Sequence, residues 1–167
     1  MGKISTQTQP PLTRPRAGRK FLKWTAIILG GLAILASAAF GWMLYRMNYV
    51  PSDLNTARSL ASDQGFYNVS YTSLIDPISI NQIHSWTVHV ESADGQPIEN
   101  ATIRVDGDMP QHGHGLPTRP QVTSYLGNGD YRVEGLKFHM PGWWIVEFDI
   151  EAGGQNDHVT FNLMLEQ

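Results

Sequence analysis

Apolar and polar positions along this chain follow two regimes. One unbroken apolar run lies near the N-terminus, and short alternating stretches separated by turn residues follow it. The run extends from Trp24 to Tyr45, WTAIILGGLAILASAAFGWMLY, without a single charge. As a helix rising about 1.5 Å per residue it reaches roughly 33 Å, enough to cross a hydrocarbon core of about 30 Å. A helix of this length on a soluble domain carries a polar stripe, and none is present here. Trp24, Trp42 and Tyr45 fall near its ends, where amphipathic rings favour the membrane interface. The pattern predicts a transmembrane helix over 24–45, with the lipid bilayer as its partner. Residues 46–65 read as a connector, in which Asp53 is placed to cap a short helix over Leu54 to Leu60.

Beyond the connector the period changes to two. His84 to Glu91 sets Trp86, Val88 and Val90 against Thr87, His89 and Glu91. Phe66–Ser73, Ile98–Asp106, Gln121–Leu126, Asp130–Phe138, Trp143–Ile150 and Val159–Leu165 read as further strands, rich in aromatic and β-branched residues. Turns fall at Ala93-Asp94-Gly95-Gln96-Pro97, at Gly127-Asn128-Gly129 and at Gly153-Gly154. Closely spaced strands without intervening amphipathic helices predict an all-β domain over 66–167, an immunoglobulin-like antiparallel β-sandwich preceded by a single transmembrane helix.

Charge sharpens the division. Met1 to Met47 holds seven of the twelve Lys and Arg residues and none of the fifteen Asp and Glu, so the rest carries a formal charge of -10. Residues 1–23 have no apolar period and read as a disordered basic cytoplasmic tail. Arg14, Arg16, Arg19, Lys20 and Lys23 precede the span and only Arg46 follows closely. The positive-inside bias therefore predicts a single-pass membrane protein with its N-terminus in the cytoplasm and its acidic domain outside; in a bacterium that is the inner (cell) membrane, with the domain in the periplasm or outside the cell. A cleaved signal peptide competes, since Ala36-Ser37-Ala38 fits a small-x-small cleavage site, but the apolar run continues past it. Both readings export the domain. An acidic domain argues against nucleic acid as a partner.

The chain contains no cysteine, which excludes disulfides, thiolate metal sites and cysteine catalysis. It has no G-x-S-x-G elbow, no HExxH and no phosphate-cradling glycine loop, so no enzymatic activity is expected. Two stretches carry other chemistry: Met109-Pro110-Gln111-His112-Gly113-His114-Gly115 and His139-Met140-Pro141-Gly142. Pairing about Asn128 sets the residues just before Gln121 opposite His139, which brings both stretches to one end of the sandwich. Imidazole suits copper, zinc, nickel and iron, and a thioether shifts the balance to copper, Cu(I) above all. The candidate ligands are His112, His114 and His139, with Met109 and Met140. Side chains at consecutive strand positions point to opposite faces, so His139 ranks above Met140. The plainer alternative is a solvated His/Gly loop beside core methionines. His84, His89 and His158 lie within strand patterns and read as structural.

The Asp94-to-Ala101 turn, the Met109-to-Thr118 stretch, Gly129-Asp130-Tyr131 and Phe138-His139-Met140-Pro141-Gly142-Trp143-Trp144 resemble the YtkA-like domain, and the related FixH-like proteins, over about residues 82–166. The resemblance implies a membrane-tethered β-sandwich of bacterial envelopes, with copper as the ligand. It also implies a copper-dependent oxidase or another copper protein as partner, and a place in cytochrome oxidase assembly. Two functions follow as expectations: a copper carrier or buffer, or a metal-free envelope module assisting a membrane complex.

Overall fold

The computed structural model describes residues 17–166. The chain divides after Arg46 into two units. The first is dominated by helix α1 (Ala17–Asn48), of which Phe21–Asn48 is long and apolar enough to cross a membrane. Ile27, Leu35 and Phe40 are all more than half exposed, as a lipid-facing helix requires. Two of its hydroxyls bond within the helix: that of Ser37 donates to the Ala33 carbonyl at 2.8 Å, and that of Thr25 to the Leu22 carbonyl at 2.9 Å. The helix therefore begins before the expected span and takes in residues 17–23 of the expected tail. The tail's remaining residues, 1–16, lie outside the described residues.

The second unit holds nine strands: β1 (Ser59–Ala61), β2 (Tyr67–Ser73), β3 (Ile83–Ser92), β4 (Thr102–Met109), β5 (His114–Gly115), β6 (Gln121–Gly127), β7 (Asp130–Lys137), β8 (Gly142–Ala152) and β9 (Gln155–Leu165). They form two antiparallel sheets, β1-β2-β3-β7-β6 and β5-β4-β8-β9. Four strands of the first sheet follow the A-B-E-D order of an immunoglobulin sandwich, and β4-β8-β9 supplies C-F-G. The seven expected strands are all present.

Alternation decides what is buried. Trp86, Val88 and Val90 of β3 turn inward, and so do Trp144, Val146, Phe148 and Ile150 of β8. Tyr71 stacks on Trp86 with ring centroids 4.2 Å apart and meets the edge of Phe161 at 5.0 Å, closing the gap between the sheets. Burial of each such side chain contributes about 1.5–3 kcal/mol.

Three local expectations are corrected. No helix forms over 54–60: the connector turns at Ser52-Asp53, and Ser59–Ala61 pairs with β2 as an edge strand. The strand expected from Ile98 starts only at Thr102. The preceding backbone is engaged elsewhere: the Tyr131 hydroxyl donates to the Ile98 carbonyl at 2.6 Å and accepts from the Ala101 N–H at 3.0 Å. The third concerns β5, absent from the expected strands because two residues are too short to show a period.

The far end of the sandwich is fastened by Asp157. Its carboxylate accepts from the Ser62 hydroxyl at 2.6 Å, from the Gln64 and Phe66 N–H groups, and from the N–H of His158. Burial opposes its charge, but these donors outweigh that and hold its pKa below the ordinary carboxylate value.

Candidate functional site

Two separate stretches of the chain build the histidine-bearing end. Strand β4 ends at Met109, and residues 110–113 turn the chain back so that Met109 pairs with His114 of β5. The Met109 carbonyl accepts from the N–H groups of both His112 (2.9 Å) and Gly113 (2.8 Å). Gly113 sits at φ +63°, a left-handed conformation that glycine adopts without strain. On the other side, β7 leaves the first sheet at Lys137 and crosses through Phe138–Pro141 to start β8 in the second. Because β4 pairs with β8, with Asp108 opposite Ile145, the His112 turn and the His139 crossover emerge side by side.

The structure brings the three histidines together. The rings of His112 and His114 lie nearly parallel, centroids 6.2 Å apart, and His114 meets the edge of His139 at 6.3 Å. His114 is exposed, while His112 and His139 are half-buried. Nδ1 of His139 is buried and has no hydrogen-bond partner among the described residues. The juxtaposition expected from the β6–β7 hairpin is thus found, but a different ladder makes it. The β6–β7 pairing ends at Gln121 opposite Glu134, short of His139, and the β4–β8 register with the β5 return does the rest.

The methionines have other roles. Met109 is fully buried in the core, with its Cε methyl against Gly142, where an added Cβ would meet it at 3.1 Å. Met140 is half-buried and packs on the core, and its carbonyl accepts the indole N–H of Trp144 at 2.9 Å. Trp144 is buried, its ring centroid 5.3 Å from that of His139 and nearly perpendicular to it, whereas Trp143 is half-buried on the outer face and donates to Asn162. Among the described residues, no three His, Asp or Glu side chains stand close enough to hold one metal ion as arranged. With a ring nitrogen about 2 Å from an ion, ring centres stand about 3 Å from it. Centroids slightly over 6 Å apart therefore suit an ion lying almost between two rings; a tetrahedral cage needs about 1 Å of closure.

The remaining histidines are occupied elsewhere. His84 is fully buried, with Nε2 2.7 Å from the Ser79 carbonyl. His89 contacts Asp130 at 2.7 Å and His158 contacts Asp149 at 2.8 Å, both on outer sheet faces. Asp106 accepts from the N–H of Gly107, a local turn-like bond.

Two contacts at this end carried no sequence signal. The Gln111 side-chain amide donates to the Tyr49 carbonyl at 3.1 Å, tying the histidine turn to the start of the domain. Arg58 forms a two-pronged pair with Asp76 at 2.8 and 2.9 Å, which lowers the Asp76 pKa. A groove beside this pair is lined by Arg58, Tyr71, Asp76, Ile78, Asn162 and Leu163.

These features define an antiparallel β-sandwich domain that follows a membrane-capable helix and gathers three histidines at one end. The YtkA-like family model matches residues 66–149, 84 of the 167 residues, and the chain belongs to that family. The match starts earlier and ends earlier than the motif likeness over 82–166. Among solved structures, the chain is similar to a DUF4426 family protein from Pseudomonas aeruginosa PAO1. That likeness has a TM-score of 0.48 at 14% identity, covering 65% of this chain and 96% of the other. It is also similar to the ZirS C-terminal domain, with a TM-score of 0.35 at 12% identity, covering 97% and 86%. No curated protein matches it.

Proposed function

We propose that this is a membrane-tethered copper-binding protein of the bacterial envelope, which carries or buffers copper without turnover chemistry, in support of cytochrome oxidase assembly. One observation carries the reading: the His112, His114 and His139 rings gather at 6.2 and 6.3 Å at one end of the sandwich, and Nδ1 of His139 lacks a partner among the described residues. Imidazoles without thiolates are compatible with either oxidation state of copper. His112 lies in the turn and His114 opens the two-residue strand β5 just after Gly113, so the shorter path to closure is movement of His112. Met140 at the crossover is the nearer of the two sulfur donors to solvent; Met109 contributes by packing. Export of the domain follows from the basic flank that precedes the helix.

A second reading is a metal-free interaction module assisting a membrane complex, favoured by the absence of three ready-placed ligands among the described residues. Competition titration of the full chain in detergent with Cu(I), Cu(II) and Zn(II) separates the two. Tight copper binding lost in the His112→Ala/His114→Ala variant supports the first reading. Absence of binding, or binding unchanged in that variant, leaves the second. A preference for zinc keeps the site and rejects the metal.

A further inference from the structure

His139 stands between two backbone carbonyls, each held by a donor from another part of the fold. The Met140 carbonyl after it takes the Trp144 indole N–H at 2.9 Å. The Phe138 carbonyl before it takes the N–H of Asn81 at 2.6 Å, and the Phe138 side chain is fully buried. With both neighbouring peptide units held, the His139 ring has few directions open to it. Groups that never touch an ion set its affinity in this way, by aiming the side chains that do.

Asn81 belongs to the loop over residues 74–82, which joins β2 to β3 in the first sheet. It is exposed and sits at φ +61°, a left-handed conformation that asparagine tolerates better than most residues. Several contacts hold the loop. Asp76 pairs with Arg58 at 2.8 Å, and Ile78 and Ile80 pack against the core. From β3, the fully buried His84 reaches the Ser79 carbonyl with Nε2 at 2.7 Å. A carbonyl only accepts, so Nε2 carries the hydrogen. Nδ1 is buried as well and has no partner among the described residues, which leaves the Ser79 bond as the hydrogen-bonding role of this ring. The same ring meets that of Phe138 at a centroid distance of 6.0 Å. His84 therefore reaches the residue before His139 by two routes, ring to ring and through Ser79 and Asn81.

We propose that His84 is a positioning residue of the histidine site. By holding the Ser79 carbonyl it fixes the 74–82 loop, and the loop, through the Asn81 N–H, fixes the peptide that leads into His139. The aim of the His139 ring is set in this way with or without an ion. Only the consequence for copper rests on the function proposed above.

NMR of the full chain in detergent, with isotope-labelled histidines, reads each ring separately. In metal-free His84→Leu the Ser79 carbonyl loses its donor. The His139 ring signals should move, while those of His89 and His158 on the outer sheet faces stay. His84→Gln places an amide N–H close to where Nε2 stood and should restore them. Asn81→Pro removes the N–H at the other end of the loop, and a proline φ of about −65° cannot follow +61°. It should move the His139 signals too, whereas Asn81→Gly keeps both the N–H and the φ and should not. Cu(II) titration then reads the same four variants. Affinity severalfold weaker, with a changed EPR hyperfine pattern, is expected for His84→Leu and Asn81→Pro, and the original values for His84→Gln and Asn81→Gly. His139 signals that stay in place in His84→Leu and Asn81→Pro, or move no more than those of His89 and His158, overturn the proposal. So does a His84→Gln variant that fails to restore them. Moved His139 signals with copper affinity unchanged overturn the role of His84 in binding. An original protein that binds no copper, but whose His139 signals respond as expected, removes the copper reading and keeps His84 as the residue that aims His139.

Discussion

The indole N–H of Trp144 donates to the carbonyl of Met140 at 2.9 Å while the same ring lies nearly perpendicular to that of His139, centroids 5.3 Å apart. A fully buried core residue thereby fixes the backbone of the crossover that carries the candidate ligand. Trp144→Phe keeps an aromatic ring but leaves the Met140 carbonyl without this donor. A loss of about 1–3 kcal/mol is expected for a buried acceptor left unsatisfied together with a smaller ring. Urea unfolding of the full chain measures it. If His139 is a ligand, copper affinity falls as well, because the crossover is no longer held.

Close approach of β4 to β8 sets up the whole site, and Gly107 permits it. A Cβ at Gly107 would stand 2.6 Å from the Ile145 carbonyl oxygen and 3.2 Å from Leu116. The nearest obstacle is backbone, so the strands must part. Gly107→Ala should cost about 1–3 kcal/mol, as overpacking does, and should disturb the Asp108–Ile145 register. Gly113→Ala is the contrasting case: open space surrounds it, and only its φ of +63° is strained. A cost of about 1 kcal/mol is expected there. Thermal unfolding of both variants, with NMR shifts of His112 and His139 as reporters of register, checks the difference.

How far the site could be read from residues alone depends on which ladder builds it. Alternation identified the strands carrying Trp86, Val146 and Phe161, because a two-residue period with one dry face leaves an unmistakable pattern. The Gly127-Asn128-Gly129 turn was equally legible. Pairing between β4 and β8, about 40 residues apart in sequence, leaves no local mark, so the hairpin was credited with a juxtaposition that the second sheet makes. Gly107 was the available clue, a glycine inside an otherwise ordinary strand. The burial of Met109 is hard to read from the sequence for a related reason: strand parity fixes which face a residue takes only once the strand's end is known. β4 runs through Met109, which puts it inside with Ile103.

Asp157 gives the fold a pH dependence whose sign follows from its donors. Its folded pKa lies below the ordinary value of 3.8, so the unfolded chain binds the proton more readily. The stabilising contribution is complete above the unfolded value and is lost as the pH falls through the folded one. Asp157→Asn should destabilise the protein by about 1–3 kcal/mol at neutral pH, since the Ser62, Gln64 and Phe66 donors lose their anionic acceptor. Unfolding midpoints of the two proteins should converge as the pH is lowered below 4. A difference that persists undiminished in acid would contradict this assignment.

His139 offers the sharpest separation of stability from function. Its Nδ1 is buried without a partner, an arrangement that costs about 1–3 kcal/mol when nothing compensates it. His139→Phe retains a ring against Trp144 while removing the orphaned nitrogen. In metal-free protein this substitution should leave stability unchanged or raise it by about 1 kcal/mol. Added copper should raise the thermal midpoint of the original protein, because a ligand that binds only the folded state stabilises it in proportion to RT ln(1 + [L]/Kd). The His139→Phe variant should lose most of that increment. A variant that is destabilised without metal shows that the imidazole serves the fold. One that keeps the full copper-dependent increment shows that His139 is not a ligand, and leaves His112 and His114 as a two-residue site.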